Sequence, residues 1–309
     1  MTDDLATYGL GALPDPPDER DYPVSALYAA EGLTASVVLP ASYAAPGMPP
    51  VLDQHATPMC VAYSSSAMKG WQDRRDQERF FDFDEPRFFR EIGGTAAGAY
   101  VRDAMNRMRA VGYPVVAAGD PGHHRIAAYY AVPRDVATIK AAIHDLGPIV
   151  VSTPWYRSWF RPRAGGTLPA PDTVLGGHAI VAYGWDGRGL RLRNSWGEDW
   201  GVGGDCWMPE SLVPRINSAW KAVDVIEHPI SYSHTVDVLA RPSLNVRKAP
   251  TTAATKVASL PYGRDVATTR LEKYGGRYTV NDAVRTDWLE VRAGRRTGWV
   301  ARGYTRLVR

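Results

Sequence analysis

Three short stretches, far apart in the chain, carry the residues that most constrain its fold. Gln54 lies six positions before Cys60, His178 follows two glycines, and Asn194 opens the stretch Asn-Ser-Trp-Gly-Glu-Asp-Trp-Gly. Attack of a thiol on a carbonyl needs a thiolate, a base, a group that orients the base, and donors for the oxyanion. The sequence has one candidate for each role, so we expect the fold to bring the three stretches together.

Length and composition are those of a globular protein with about two domains. The chain has 309 residues, of which 45% are hydrophobic and 22% charged, and only two are cysteines, which excludes a disulfide scaffold. No stretch approaches the ~20 apolar residues of a membrane span. The acidic opening residues lack the apolar core of a secretory signal, which predicts synthesis in the cytoplasm. Later release from the cell, or association with a virion or a cell wall, stays open.

Charge is distributed unevenly along the sequence. From residue 234 onward there are 15 Lys and Arg against 6 Asp and Glu, a balance of +9, whereas the rest of the chain has a balance of −6. An anionic partner is therefore expected for the basic tail.

Helical patterns come first along the chain and strand patterns follow. Residues 1–50, rich in Pro, Ala and Gly, are expected to form an extended arm rather than a helix. Helices are predicted at Cys60–Glu78, Ala99–Ala110 and Arg134–Asp145, and strands at Ile149–Val151, Ala179–Trp185 and Leu190–Arg193. The mixture of Trp, Pro, Gly and Arg at 155–171 predicts a long surface loop. This order favours an α+β fold with an antiparallel sheet.

The last 75 residues have the pattern of a small all-β domain. Short strands are predicted at Val236–Ala240, Leu244–Arg247, Lys256–Leu260, Asp265–Thr269, Trp288–Val291 and Thr297–Ala301. Their spacing fits a small barrel. We therefore predict a first domain at 1–228, a linker at 229–234 and a second domain at 235–309.

Each candidate catalytic residue also has a plain structural alternative. A lone cysteine is usually a small buried hydrophobe, and an isolated histidine is more often a core residue. Cys60, however, lies where a loop enters a helix, which favours a thiolate. The combination favours Cys60 as nucleophile, His178 as base, Asn194 as the group that orients His178, and Gln54 as an oxyanion donor.

The pattern Q-x5-C-x-A-Y-S, then G-H-A, then N-S-W-G-x2-W-G resembles the papain-like cysteine peptidases of bacteria and phages over roughly residues 13–228. The resemblance implies two lobes, one helical and one an antiparallel β lobe, with the site between them. It also implies substrate contacts at Gly98, with Gly93 and Gly94 as the alternative. Further contacts are implied at Gly177, which leaves an open subsite wall, and at Trp196, which shields the hydrogen bond between His178 and Asn194. The family's long inhibitory propeptide does not fit into the 59 residues before Cys60, so latency would need another device.

The tail resembles the bacterial Src-homology-3-like domains. Leu-Asn-Val-Arg-Lys-Ala-Pro at 244–250 matches the family's opening, and Thr-Gly-Trp-Val at 297–300 matches a closing strand. A targeting role toward an anionic cell-wall polymer is therefore expected for residues 235–309. We expect no nucleic-acid site, no metal and no cofactor.

The favoured function is that of a cysteine endopeptidase that cuts polypeptides through a thioester acyl-enzyme. Two alternatives stay open: an endopeptidase for the stem or cross-bridge peptides of peptidoglycan, and a non-catalytic wall-binding protein.

Overall fold

The computed structural model describes residues 7–30, 35, 38–77, 81–116, 123–225, 234–294 and 296–308. The chain forms two compact units, of which the first comprises Met1–Tyr28 and Val37–Val225 and the second Ala29–Ser36 and Ile226–Arg309. Residues 229–233 of the predicted linker lie outside the described residues. The predicted domain boundaries stay predictions.

Helices of the described residues are Val24–Ala30 (α1), Cys60–Gln77 (α2), Glu85–Glu91 (α3), Val101–Ala110 (α4) and Val136–Leu146 (α5). Two of them begin with an aspartate whose side chain accepts a hydrogen bond from a backbone N–H of the first turn: Asp84 for α3 and Asp135 for α5. Within the described part of the chain, no helix combines the length and the apolar character that crossing a membrane requires.

Strands of the first unit are Ala12–Leu13 (β1), Tyr43–Ala44 (β2), Ala99–Tyr100 (β3), Tyr113–Pro114 (β4), His123–His124 (β5), Ile126–Ala131 (β6), Ile149–Tyr156 (β7), Val174–Asp186 (β8), Gly189–Arg193 (β9), Asp205–Met208 (β10) and Ser218–Asp224 (β11). The main sheet has the order β10-β9-β8-β7-β11-β6, and all its pairs are antiparallel. Helix α2 packs on β8 and β7, the two central strands of the sheet. The predicted α+β arrangement is confirmed.

Packing contradicts the predicted surface loop at 155–171. Strand β7 continues to Tyr156, a short 3-10 helix follows at Arg157–Phe160, and Trp155 and Trp159 are fully buried. The Pro, Gly and Arg content of this stretch suggests a solvated loop, whereas the large apolar area of its aromatic rings drives them inward.

Strands of the second unit are His234–Val238 (β12), Ser243–Arg247 (β13), Lys256–Pro261 (β14), Asp265–Val280 (β15), Ala283–Ala293 (β16), Arg296–Ala301 (β17) and Thr305–Leu307 (β18). They form an antiparallel sheet in the order β14-β13-β17-β16-β15-β12-β18. Alternate side chains such as Leu244 and Val246 are buried in its apolar core. The predicted all-β character of this region is confirmed.

Candidate active site

Cys60 is the first residue of α2 and is completely buried. The N-terminus of a helix carries partial positive charge, which stabilises a thiolate. Burial has the opposite and larger effect and raises the pKa of the Cys60 thiol to about 12, although the backbone N–H groups of Ala179 and Gly11 hydrogen-bond to it and lower the pKa. The thiol is therefore neutral in this structure.

His178 and Asn194 come together because β8 and β9 pair in antiparallel register. Val181 lies opposite Arg193, so His178 and Asn194 are brought to neighbouring positions at the same end of the two strands. The Nε2 atom of His178 lies 2.7 Å from Oδ1 of Asn194, and the backbone N–H of Ser195 donates to the same oxygen. Because Oδ1 is an acceptor, Nε2 carries the proton of the neutral imidazole and Nδ1 holds the lone pair.

The second ring nitrogen of His178, Nδ1, is available for proton transfer. His178 Nδ1 is buried and has no hydrogen-bond partner within the described ranges. The backbone N–H of Ala179, the next residue, is near enough to the Cys60 thiol to lower its pKa, so the thiol lies close to this histidine. Burial lowers the pKa of His178 to about 4, against the opposing effect of the Asn194 hydrogen bond. His178 is therefore a neutral base.

Two tryptophans enclose His178. The ring centroid of Trp196 lies 4.5 Å from that of His178, and the centroid of Trp155 lies 4.7 Å away in an edge-on arrangement. Trp155 comes from the stretch assigned to a surface loop on the sequence, so its position at the site was missed. The rings exclude water from the His178–Asn194 hydrogen bond, which strengthens it.

Gln54 is buried and its side-chain amide is held from both ends. Its Oε1 accepts a hydrogen bond of 2.7 Å from the Ser195 hydroxyl, and its Nε2 donates to the carbonyls of Thr57 at 2.7 Å and Gly9 at 3.1 Å. The amide N–H groups are thereby oriented as donors. Sequence reasoning did not identify Ser195, although its place directly after Asn194 was the available signal.

The residues predicted to contact substrate lie around residues 8–13, which we call the strap. These residues are Gly98, Gly177 and Trp196. The carbonyl of Gly177 accepts a hydrogen bond of 2.9 Å from Gly11, and a Cβ on Gly98 would lie 1.9 Å from the carbonyl oxygen of Gly11. Nε1 of Trp196 donates to a carbonyl of the same segment at 3.3 Å. The sequence predicted an extended arm here but not its position.

Among the described side chains, no group of three or more His, Cys, Asp or Glu is placed to hold a metal ion. Cys60 and Cys206 are both free thiols, and burial raises the pKa of Cys206 well above its ordinary value. What the arrangement offers is a thiol, a neutral imidazole and an oriented amide donor at one place.

Two curated proteins share sequence with part of this chain. A gut-specific cysteine proteinase from Caenorhabditis elegans is 34% identical over 97 residues, which cover 30% of this chain and 29% of that protein. Cathepsin 7 from Rattus norvegicus is 32% identical over 95 residues, which cover 28% of this chain and 29% of that protein. The chain thus spans under a third of the length of these relatives.

Solved structures match a larger share of this chain than the curated relatives do. Xylellain, a cysteine protease from Xylella fastidiosa, superposes with a TM-score of 0.58 at 24% identity, over 71% of this chain and 97% of that one. Digestive procathepsin L2 proteinase from Tenebrio molitor gives 0.57 at 17% identity, over 72% of this chain and 80% of that one. Residues 242–306 match the family described as bacterial SH3 domain.

The fold of the first unit is therefore similar to that of solved cysteine proteases. The first unit thus has a papain-like fold, and residues 242–306 match the bacterial SH3 domain family, as the resemblance seen in the sequence implied.

Proposed function

We propose that the first unit hydrolyses peptide bonds with Cys60 as nucleophile. The observation that carries this proposal is the hydrogen bond of 2.7 Å between His178 and Asn194, which leaves Nδ1 of His178 as a base beside the buried thiol. A neutral imidazole next to a thiol is the arrangement that makes a cysteine nucleophilic.

Proton and electron movements follow from these positions. Cys60 gives its proton to Nδ1 of His178, and the sulfur attacks the carbonyl carbon of a bound peptide. The N–H of Cys60 and Nε2 of Gln54 donate to the resulting oxyanion. His178 then protonates the leaving amine as the carbon–nitrogen bond breaks, which gives a thioester. Water, deprotonated by His178, hydrolyses the thioester and restores the thiol.

A peptide-library assay tests this chemistry. We expect turnover by the full chain and none above background by Cys60→Ala, with Cys206→Ala as a matched control that keeps activity. Chelators should leave turnover unchanged, whereas a thiol alkylator should abolish it together with modification of Cys60. Equal hydrolysis by wild type and Cys60→Ala would refute the assignment.

For the substrate, our proposal is a polypeptide, with peptidoglycan peptides as the second candidate. The second candidate is favoured by one observation, the match of residues 242–306 to the bacterial SH3 family on a tail with a charge balance of +9. Release of peptides from a denatured protein, compared with clearing of a bacterial wall suspension, separates the two. Clearing without protein hydrolysis would favour peptidoglycan. Failure of both assays would favour a non-catalytic wall-binding protein.

We further propose that residues 235–309 direct the peptidase to an anionic cell-wall polymer. Supporting this, Lys248, Lys256 and Arg264 are exposed on a unit in which cations outnumber acidic residues. Attraction of this kind weakens as salt rises. Synthesis in the cytoplasm followed by release to a wall or virion belongs to the same proposal.

A further inference from the structure

Two neighbouring turns of the second unit present an arginine on an exposed aromatic ring. Residues 239–242 join β12 to β13, and residues 262–264 join β14 to β15. The guanidinium carbon of Arg241 lies 3.7 Å from the centroid of the Tyr262 ring. We infer that these two turns, which we call the platform, bind the free carboxylate at the end of a short peptide, which in a cell wall is the end of an uncrosslinked stem peptide of peptidoglycan. The inference rests on the proposed targeting function of residues 235–309.

The platform is held together by backbone hydrogen bonds between its two turns. The N–H of Tyr262 donates to the carbonyl of Pro242 at 3.0 Å, and the N–H of Gly263 donates to that of Val238 at 2.8 Å. In return, the N–H of Val238 donates to the carbonyl of Arg264 at 3.1 Å. Because both turns are fixed in this way, a ligand does not have to order the backbone when it binds, which lowers the cost of binding.

The charge of Arg241 is not neutralised by the protein. In the part of the chain that the structure describes, no carboxylate pairs with Arg241 or Arg264, whereas Arg306 pairs with Asp237 at 2.6 Å. A guanidinium that stacks on an aromatic ring keeps the N–H donors along its edge free. That edge matches the two oxygens of one carboxylate. Arg241 is therefore oriented for an anion that comes from outside the described residues.

Apolar side chains beside the guanidinium narrow the chemistry of the ligand. Tyr262 is 45% exposed and Leu239 is 40% exposed, and Pro242 and Pro261 are exposed as well. Exposed apolar groups that lie together beside a charge are typical of a binding surface. The terminal carboxylate of a peptide directly follows the last side chain, which is a methyl group in alanine, whereas a polymer phosphate offers charge without such a group. A peptide end therefore fits the platform better than a phosphate does.

The platform adds selectivity to the general attraction of the basic tail. Net charge draws any polyanion, and salt screens this attraction beyond about 8 Å at physiological ionic strength. Two parallel hydrogen bonds from one guanidinium to one carboxylate depend on geometry instead. Lysine at position 241 keeps the charge but lacks the planar fork, so it does not replace arginine there.

Two synthetic peptides test the inference on the full chain. The first is acetyl-lysyl-D-alanyl-D-alanine with a free carboxylate, and the second is the same peptide with a C-terminal amide. Calorimetry should show binding of the free acid and binding of the amide that is at least about tenfold weaker, since the amide loses the charge-assisted hydrogen bonds. Equal affinity for the two peptides would overturn the inference.

Substitutions on the platform identify the groups that bind. Arg241→Lys and Tyr262→Ala should each weaken binding of the free acid by at least about tenfold, whereas Tyr262→Phe keeps the ring and should bind as the wild type does. Arg277→Gln is the control for net charge, because Arg277 is an exposed cation near the other end of β15. A loss in Arg277→Gln as large as that in Arg241→Lys would assign binding to net charge and refute the platform.

Retention on purified cell walls from which acid has removed the phosphate polymers separates this inference from the targeting proposal. We expect the wild type to be retained on these walls and Arg241→Lys to be washed off. If both proteins are retained alike, the platform is wrong and targeting stands. If the wild type is retained only on untreated walls, the ligand is a polymer phosphate and the inference is wrong. If the free acid binds through Arg241 but no wall retains the protein, the platform is right and the targeting proposal is wrong.

Discussion

Burial shifts the pKa values of Cys60 and His178 in opposite directions. Burial raises the pKa of the Cys60 thiol to about 12 and lowers that of His178 to about 4. Both shifts oppose charge, since desolvation penalises the thiolate and the imidazolium alike. The proton therefore stays on sulfur throughout the neutral pH range. Only a change in solvent access, not a change in pH near 7, generates the reactive ion pair.

A pH series of alkylation tests this balance in the wild-type protein. Below its pKa, the thiolate fraction of an isolated thiol rises about tenfold per pH unit. We expect the rate of iodoacetamide reaction at Cys60, followed by mass spectrometry of its peptide, to rise this way from pH 7 to 10 without levelling. A plateau of the alkylation rate below pH 9 would show that the Cys60 thiol of the wild-type protein already ionises at that pH.

Gln54 offers a second test at this scale. Gln54→Ala removes the amide donor and the acceptor of the Ser195 hydroxyl, so kcat should fall by about 10²–10³ while KM changes little. His55→Asn is the control, because His55 is exposed and its φ of 52° suits asparagine. Steady-state kinetics with one peptide give kcat and KM for both variants. A comparable loss in both variants would point to a disturbed loop instead.

Among the elements, α2 is tied to the sheet by a buried ion network. Nζ of Lys69 lies 2.5 Å from a carboxylate oxygen of Asp73 and 2.6 Å from one of Asp224 in β11, and all three side chains are buried. Nδ1 of His124 lies 2.8 Å from the other oxygen of Asp73. The network fixes the helix that begins at Cys60, so it sets the position of this cysteine indirectly.

Asp224→Ala removes one of the two carboxylates bound to Lys69. Loss of one partner of a buried ion pair costs about 3–5 kcal/mol, so the free energy of unfolding of the first unit should fall by that order in urea denaturation. Glu210→Ala, which removes the exposed partner of Lys140, should cost less than about 1 kcal/mol. Equal effects of the two substitutions would contradict a dominant buried network.

How far the sequence predicts each element depends on its length and partners. Helix α2 begins at Cys60 as predicted, because an apolar run follows Pro58. The helix predicted from Ala99 begins instead at Val101, since Ala99 and Tyr100 pair with β1. That pairing joins residues 87 positions apart, which no local pattern encodes.

Two helices escaped sequence analysis. The seven-residue helices α1 and α3 are too short to show a periodic pattern, and α1 lies in the arm that was expected to be non-helical. For α3 a signal existed in Asp84-Glu85-Pro86, since Asp84 caps the helix and proline suits its first turn. The position of the strap at the site had no comparable local signal.

For the whole molecule, the division of charge between the C-terminal tail from residue 234 and the rest of the chain is the feature with a functional consequence. The tail carries +9 and the rest −6. Net charge of this kind governs association with polymers and not the fold. The proposed peptidase chemistry and the proposed attachment should therefore respond separately to substitution.

Charge removal in the second unit tests that separation. Replacing exposed Lys248, Lys256 and Arg264 by glutamine should abolish retention on purified cell walls at moderate salt, where the Debye length is about 8 Å, and leave peptide turnover unchanged. The same change at exposed residues of the first unit is the control: Arg90, Arg109 and Arg163. Equal loss of retention in both sets would mean that total charge, and not the SH3 domain, governs attachment.

The stacking of Tyr8 on Trp196 also makes the site visible in solution. Trp196 is 3% exposed and lies in a cluster of indole rings with Trp155 and Trp200. Departure of Tyr8 would bring water to this indole and shift its fluorescence emission to longer wavelength. Any exposure of Trp196 to solvent can therefore be followed in real time by intrinsic tryptophan fluorescence, before any bond is cut and without an added label.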